Sequence, residues 1–353
     1  MTFRSRSVHL LFGYALLAAL SGCGGKKEEA DAFKGPVTVE QAVSILDLSS
    51  FPLVNGAKPP WPRGIASLAY QAPGDVKSIF DFHRKKLLSQ GWKELPNSSV
   101  TAQAASATFS RRGFVVSVSV YPTGQSNSTA VSIQNLGNIK PSKLPLPPRV
   151  KPVYVGDTSA MYVTDAAVAD TAEACRKLLL ADGWVPYGAA GDSSYYKQNA
   201  IRIGATVSSA PAQGGKTMIS YSSELMSADL PAPPDAPDQR YTESTKELSF
   251  ETAGDKQAVV DFYKKTLGKL GWEPTLEHLV QVGDREEMIF RNPAKDMLTL
   301  AMPSRPTGKM PVSLQQQSAA EIAELDRQLK EHAPAIKAKI KAQQQEEVEG
   351  LRR

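Results

Sequence analysis

The sequence predicts an α+β protein: three tandem small two-layer domains, each with one helix on an antiparallel sheet, followed by a C-terminal helix. Three observations carry this. Gly-Trp recurs as Gly91-Trp92, Gly183-Trp184 and Gly271-Trp272, a period of about 90 residues that marks a copied domain rather than a short solenoid repeat. Each pair closes an amphipathic stretch that follows one alternating segment and precedes three more. Proline-rich joints, Leu144-Pro145-Leu146-Pro147-Pro148 and Leu230-Pro231-Ala232-Pro233-Pro234, separate the copies. The expected boundaries are 65–140, 141–229 and 230–317 for the three modules.

Residues 1–22 read as a signal peptide. Arg4 and Arg6 form a positive start, and the apolar run Leu10–Leu20 is too short to span a bilayer. Leu20-Ser21-Gly22-Cys23 follows: an aliphatic residue, two small residues, then cysteine. These residues resemble the lipobox of bacterial lipoproteins. The resemblance implies acylation of Cys23, cleavage before it, and anchoring by two or more acyl chains, which exceeds the marginal hold of one chain. An ordinary secretory signal with a chance cysteine is the alternative. Residues 23–36, opening Gly24-Gly25-Lys26-Lys27, read as a lipidated flexible tether. Gly rather than Asp at position 24 resembles cargo released to the outer membrane, which places the expected body in the periplasm. With Cys23 lipidated, the only other cysteine, Cys175, has no partner for an intramolecular disulfide.

Residues 37–64 form a lead-in. Thr38–Leu48 reads as a short helix with Thr38 and Gln41 as a capping box, and Phe51–Gly64 is too rich in proline for regular structure. The first module opens with the alternating strand Ser67–Ala72. Asp75 then caps a helix with Val76, Ile79, Phe80, His83 and Leu87 on one stripe. Gly91 sits where a positive φ ends a helix. Strands are expected at Ala107–Arg112, Phe114–Tyr121 and Ala130–Gln134. Val116, Val118 and Val120 alternate with Ser117 and Ser119, and Arg111-Arg112-Gly113 makes a tight hairpin. The second module repeats the plan with strand Ala160–Thr164, helix Ala167–Asp182 and strands near Ser194–Lys197, Ile201–Ser208 and Thr217–Ser222. The third has strand Lys246–Glu251, helix Asp255–Leu270 and strands near Glu286–Arg291, Met297–Ala301 and Pro311–Leu314. Each copy is therefore expected as β-α-β-β-β, joined by linkers with polyproline spacing. Residues 236–316 are expected to fold when excised. Residues 318–353 are a charged tail with Ser318 and Glu321 as a capping box. Ile322, Leu325, Leu329, Ile336 and Ile340 give it a thin stripe, interrupted at Pro334. It reads as a solvated helix on the third module, or as a docking or coiled-coil helix.

Composition bounds the function. With 41% hydrophobic and 22% charged residues the chain can bury cores, and disorder throughout is excluded. The net charge is +5, two units of which belong to Arg4 and Arg6 in the leader. No segment interleaves basic and aromatic residues, so no nucleic-acid partner is expected. Counted back from each Gly-Trp, His83 aligns with Cys175 and Tyr263. One position accepting His, Cys and Tyr behaves as a packing site rather than a chemical one. The other histidines, His9, His278 and His332, form no metal-ligand spacing, and HExxH, CxxC, P-loop and GxSxG patterns are absent. No catalytic residue, metal or cofactor is expected. The tryptophans read as core; exposed, they would suggest stacking on sugar or peptide. Arg84-Lys85-Lys86, Arg176-Lys177 and Lys264-Lys265 read as a solvated helix face.

The layout of lipidated tether plus small α+β modules resembles bacterial envelope lipoproteins such as the lipoprotein accessory subunit of the outer-membrane β-barrel assembly machinery, with its helix-grip modules. That likeness covers layout and transfers no residue. The expected function is a non-enzymatic, membrane-anchored scaffold that binds an envelope protein partner. The alternative is capture of a glycan, peptide or peptidoglycan fragment in a cleft between helix and sheet. A hydrolase with a site scattered over loops is a third reading.

Overall fold

The computed structural model describes residues 33–58, 63–125, 127–234, 236, 239–306 and 308–350. Within them the chain is a mixed α+β protein built on three antiparallel sheets, with a long C-terminal helix. Cys23, the signal peptide and most of the tether lie outside the described residues.

The lead-in holds helix α1 (Val39–Val43). The first sheet contains β1 (Ser67–Ala72), β2 (Lys93–Glu94), β3 (Ser99–Val100), β4 (Ala105–Arg111), β5 (Phe114–Pro122) and β6 (Thr129–Asn135), with helix α2 (Val76–Ser89) between β1 and β2. Its order is β1-β6-β5-β4-β2, with β3 beside β4. The second sheet contains β7 (Lys151–Val155), β8 (Ser159–Thr164), β9 (Val185–Ala190), β10 (Ser193–Gln198), β11 (Ile201–Ala210) and β12 (Lys216–Leu225). Helix α3 (Val168–Ala181) lies between β8 and β9, and the order is β7-β8-β12-β11-β10-β9. The third sheet contains β13 (Arg240–Thr242), β14 (Glu247–Thr252), β15 (Glu273–Pro274), β16 (Val280–Val282), β17 (Arg285–Arg291), β18 (Met297–Pro303) and β19 (Met310–Gln317). Helix α4 (Lys256–Gly268) lies between β14 and β15, and α5 (Ala319–Gly350) ends the described chain. The order here is β13-β14-β19-β18-β17-β15, with β16 beside β17.

In each sheet the helix carries the chain from one strand across to the far edge, and a three-strand meander brings it back. The strand after each Gly-Trp was not expected, so each unit adds a short β-strand to β-α-β-β-β. It escapes the sequence because two of its three copies are only two residues long. The edge strands β7 and β13 were also not expected; β7 is exposed along its whole length, so no alternation marks it.

The three Gly-Trp pairs share one physical cause. Gly91, Gly183 and Gly271 have φ of +83°, +88° and +80°. The amides of Trp92, Trp184 and Trp272 donate to the carbonyls of Leu87, Leu179 and Leu267, at 3.2, 3.1 and 3.0 Å. This is the Schellman closure, which satisfies orphan carbonyls and brings a large apolar residue back onto the last turn. The three leucines are fully buried, as are Trp92 and Trp184, while Trp272 is half-buried. The α2 stripe is the expected one: Val76, Ile79, Phe80, His83 and Leu87. Asp75 and Asp255 accept from the amides of Ser78 and Ala258 at 2.9 and 2.7 Å. The Thr38–Gln41 capping box is formed, although its helix is only five residues long.

The sheets are not beads on proline spacers. The cores of the first and second sheets are continuous, and they enclose the lead-in residues Val37, Ala42, Leu48 and Phe51. The chain is already held at residue 33, where Phe33 meets Phe114 edge-on with ring centroids 6.0 Å apart. The carbonyls of Gly35, Pro36 and Val37 then accept from Asn138, Asn199 and Ala200. In the joints, Leu144 and Leu230 are buried, and the carbonyls of Pro145 and Leu230 accept from the hydroxyls of Tyr221 and Tyr187, both at 3.0 Å. Apolar joint residues gain more by burial than an extended linker gains by solvation, so the joints pack. Tyr187, on β9, belongs to the core of the third sheet. There β9 lies beside β13, so closely that a Cβ on Gly188 would stand 2.3 Å from the Gln239 carbonyl oxygen.

Helix α5 starts with the expected capping box: Glu321 N–H donates to Ser318 Oγ at 3.2 Å, and Ser318 N–H to Glu321 Oε2 at 2.7 Å. Its first turn is pinned by a buried ion pair between Glu321 and Lys246. Leu325 and Leu329 face solvent. The helix runs through Pro334 rather than stopping there. Proline removes one backbone bond and crowds the preceding turn, but the flanking Ala, Lys, Glu and Gln are strong helix formers.

Candidate functional site

The space between helix and sheet, where the alternative reading put a ligand cleft, is packed. Under α2 it holds Phe80, Leu87, Trp92 and His83. His83 Nε2 lies 2.5 Å from the Tyr70 hydroxyl. That hydroxyl accepts the Val54 amide at 3.3 Å, leaving its hydrogen for the imidazole. Phe51 stacks on the ring, and burial brings the imidazole down to about 4. Cys175 and Tyr263 are likewise buried on α3 and α4, and burial pushes both groups up. All three equivalents are packing residues. The basic runs lie on the outer helix faces and are largely engaged. Arg84 pairs with Glu94, Arg176 with Glu173, and Lys264 donates to the Glu277 carbonyl.

The site that the fold does build lies on the opposite side of the sheets. Alternation sends every second residue of β4, β5, β6 and β1 away from α2. Pairing aligns these residues in a row, Thr108–Ser117–Gln134–Ser67, with Ser106–Ser119–Ser132 beside it. The second sheet contributes Tyr195–Gly204–Ser222 across β10, β11 and β12. These faces border a cleft of about 800 Å³, together with Glu243 and Ser244 from the turn between β13 and β14.

Charge within the cleft is internally balanced. Arg202 and Glu224 form a cross-strand ion pair, and the guanidinium also donates to the Tyr241 carbonyl at 3.3 Å. It lies over the rings of Tyr195 and Tyr241, 5.0 and 5.5 Å from their centroids. Glu243 accepts from the Ser227 amide and the Tyr241 hydroxyl, each at 2.9 Å, and from the Ser227 hydroxyl. Burial raises this carboxyl above its usual range, against the opposing effect of those bonds. Ser227 Oγ in turn accepts the Ala66 amide at 3.0 Å. One short chain of bonds therefore ties the segment leading into β1, the joint after β12 and the turn after β13. A Cβ at Gly64 would stand 2.7 Å from Ser227 Oγ, so a larger residue there would have to displace this bonded hydroxyl.

Chemically this is a hydrogen-bonding surface. Among the described residues no histidine lines the cleft, and the carboxylates of Glu224 and Glu243 there are already engaged. Asn135, at the end of β6, is buried on the inner face with Val131 and Ile133, and its Oδ1 accepts the Gly137 amide at 3.0 Å. Sequence reasoning found the Ser117 and Ser119 alternation but not Tyr195, Arg202, Glu224 or Glu243. No local signal identifies them, because they meet only when the sheets dock.

No known protein family matches the chain, and neither a curated protein nor a solved structure matches it.

Proposed function

We propose that this chain is a lipid-anchored bacterial envelope lipoprotein whose body, three copies of one α+β module, is a rigid non-catalytic scaffold for a protein partner. The lipobox pattern ending at Cys23 supports the anchor. The shared strand path and the threefold Schellman closure support the copied module. Among the described residues no helix is long and apolar enough to cross a membrane. Membrane attachment is therefore assigned to the acyl chains, with the body in the periplasm and the outer membrane as the anchoring leaflet's home.

The observation that carries the scaffold reading is β7. It closes one edge of the second sheet, its outer side is unpaired, and Val153, Tyr154 and Val155 are each about half exposed. Uncovered edges template pairing with another chain, and here Lys151, Pro152 and a register shift between Pro152 and Tyr154 confine the exposed apolar edge to Val153–Val155. A partner strand added there would gain main-chain hydrogen bonds and side-chain burial together. The polar cleft favours the second reading, ligand capture.

Two measurements test the proposal. Cys23→Ser is expected to abolish fatty-acid labelling and free the protein from membranes; continued labelling counts against the lipoprotein. A photo-crosslinker at Tyr154 is expected to trap one discrete envelope protein in cells. Absence of any adduct, or adducts equal to those from a crosslinker at exposed Leu276, counts against the scaffold.

A further inference from the structure

We infer that the cleft between the first and second sheets is a binding site for a neutral glycan strand, an inference that rests on the ligand-capture reading above. The molecule contains its own comparison. The open face of the third sheet borders a hollow of about 620 Å³ lined by Arg240, Glu247, Glu251 and Arg285, the long charged side chains that ordinarily solvate a sheet. The cleft face carries Ser67, Ser106, Thr108, Ser117, Ser119 and Gln134 instead. Short neutral hydroxyls leave the floor open, and each can both donate and accept. A hydroxylated sugar chain offers the same in return.

Geometry narrows the occupant further. The hydroxyl row crosses four strands, spaced by about 4.8 Å, close to the length of one sugar in an extended chain. Tyr195 is half-buried and lies against Gly204, where an added Cβ would stand 3.5 Å from its ring. An aromatic ring held in place is a platform for the apolar face of a sugar, and its hydroxyl end stays available for polar contacts. The volume lies within the range of about 300–1,000 Å³ typical of ligand clefts. A polyanion is disfavoured, since Arg202 is committed to Glu224 and the neighbouring Glu243 is acidic. An apolar ligand would strand the hydroxyls.

The test uses the full-length chain in detergent micelles and two fluorescent probes, a β-1,4-linked N-acetylglucosamine hexamer and a glucose hexamer. Fluorescein-labelled polyglutamate is the acidic comparator. Saturable anisotropy with at least one neutral hexamer is expected. The two hexamers separate a wall-type amino sugar from a plain glucan. Tyr195→Ala and Ser119→Glu should each weaken binding at least tenfold, while Thr299→Glu, on the open face of the third sheet, leaves it within twofold. Ser119→Ala, which removes only a hydroxyl, should weaken binding less than Ser119→Glu and guards against loss of fold. No saturable binding to either hexamer, binding indifferent to Tyr195 and Ser119, or preference for polyglutamate overturns the assignment. Each of these leaves the Tyr154 crosslink untouched, so failure of the glycan site is distinguishable from failure of the scaffold.

Discussion

His83 should make the first sheet acid-sensitive at a pH where most histidines would simply charge. It is fully buried, stacked on Phe51, edge-on to Phe82 at 5.0 Å, and bonded only to Tyr70. Its Nδ1 has no partner. Burial lowers its proton affinity from 6.5 to about 4, and each tenfold step corresponds to about 1.4 kcal/mol. The folded state therefore favours the neutral ring. The stability this confers is fully present above pH 6.5 and is lost as pH falls from there towards 4. At pH 4.5 the loss is roughly 2.5 kcal/mol. The perturbations are His83→Gln, which cannot titrate yet can still accept from Tyr70, and His83→Tyr, the residue at the equivalent position of α4. Urea unfolding followed by tryptophan fluorescence, at pH 7.5 and 4.5, gives each protein its own pH difference, so any basal cost of substitution cancels. Both variants should lose about 2–3 kcal/mol less than the wild type between the two pH values. Equal losses in all three proteins would refute the reasoning, as would an imidazole NMR titration midpoint near 6.5.

Two further perturbations probe how the sheets are joined. Gly188→Ala sets a side chain against the Gln239 carbonyl and should part β9 from β13 at a cost of about 1–3 kcal/mol. Faster proteolysis in the joint after β12 reports this; Gly191→Ala, also at positive φ but in open space, should not produce it, and identical behaviour of the two removes the argument. Lys246→Met leaves Glu321 buried without its cation, which typically costs about 3–5 kcal/mol. Early hydrogen exchange confined to the first turns of α5 is the expected signature, and unchanged protection there contradicts it.

Much of the fold was legible because its rules are local. Asp75 caps within three residues, and the α2 stripe repeats every turn. Gly91 must take a positive φ five positions or fewer from the groups it serves. The hairpin at Arg112-Gly113 was legible for the same reason, and both residues have positive φ, at +49° and +84°. The alternation of β5 named its buried valines and outward serines. Helix α5 was legible too, since its Ser318–Glu321 capping box is local and the expected helix runs through Pro334. The edge strands and the two-residue strands after Gly-Trp carry too few residues for any period to emerge.

The candidate site was legible only in fragments. Ser117 and Ser119 could be placed on the open face, but an outward serine is an ordinary solvated residue until a second sheet confronts it. The expectation that residues 236–316 fold alone changes for the same reason. The same core also contains Tyr187, Met226, Ala228 and Leu230 from outside that segment, so excision would expose part of it.

By itself the sequence determined the mixed α+β class, the helix stripes with their caps and Schellman ends, and the inner face of β5. These follow from interactions between residues a few positions apart, which fix backbone angles and periodicity. Only the tertiary structure decided that the joints pack, that the chain is gripped from Phe33 onward, and that the neutral faces of two sheets enclose a cleft. Those outcomes depend on contacts such as Ala66 with Ser227 and Pro36 with Asn199, more than 160 positions apart. Shape and burial select them from many alternatives that no local pattern ranks.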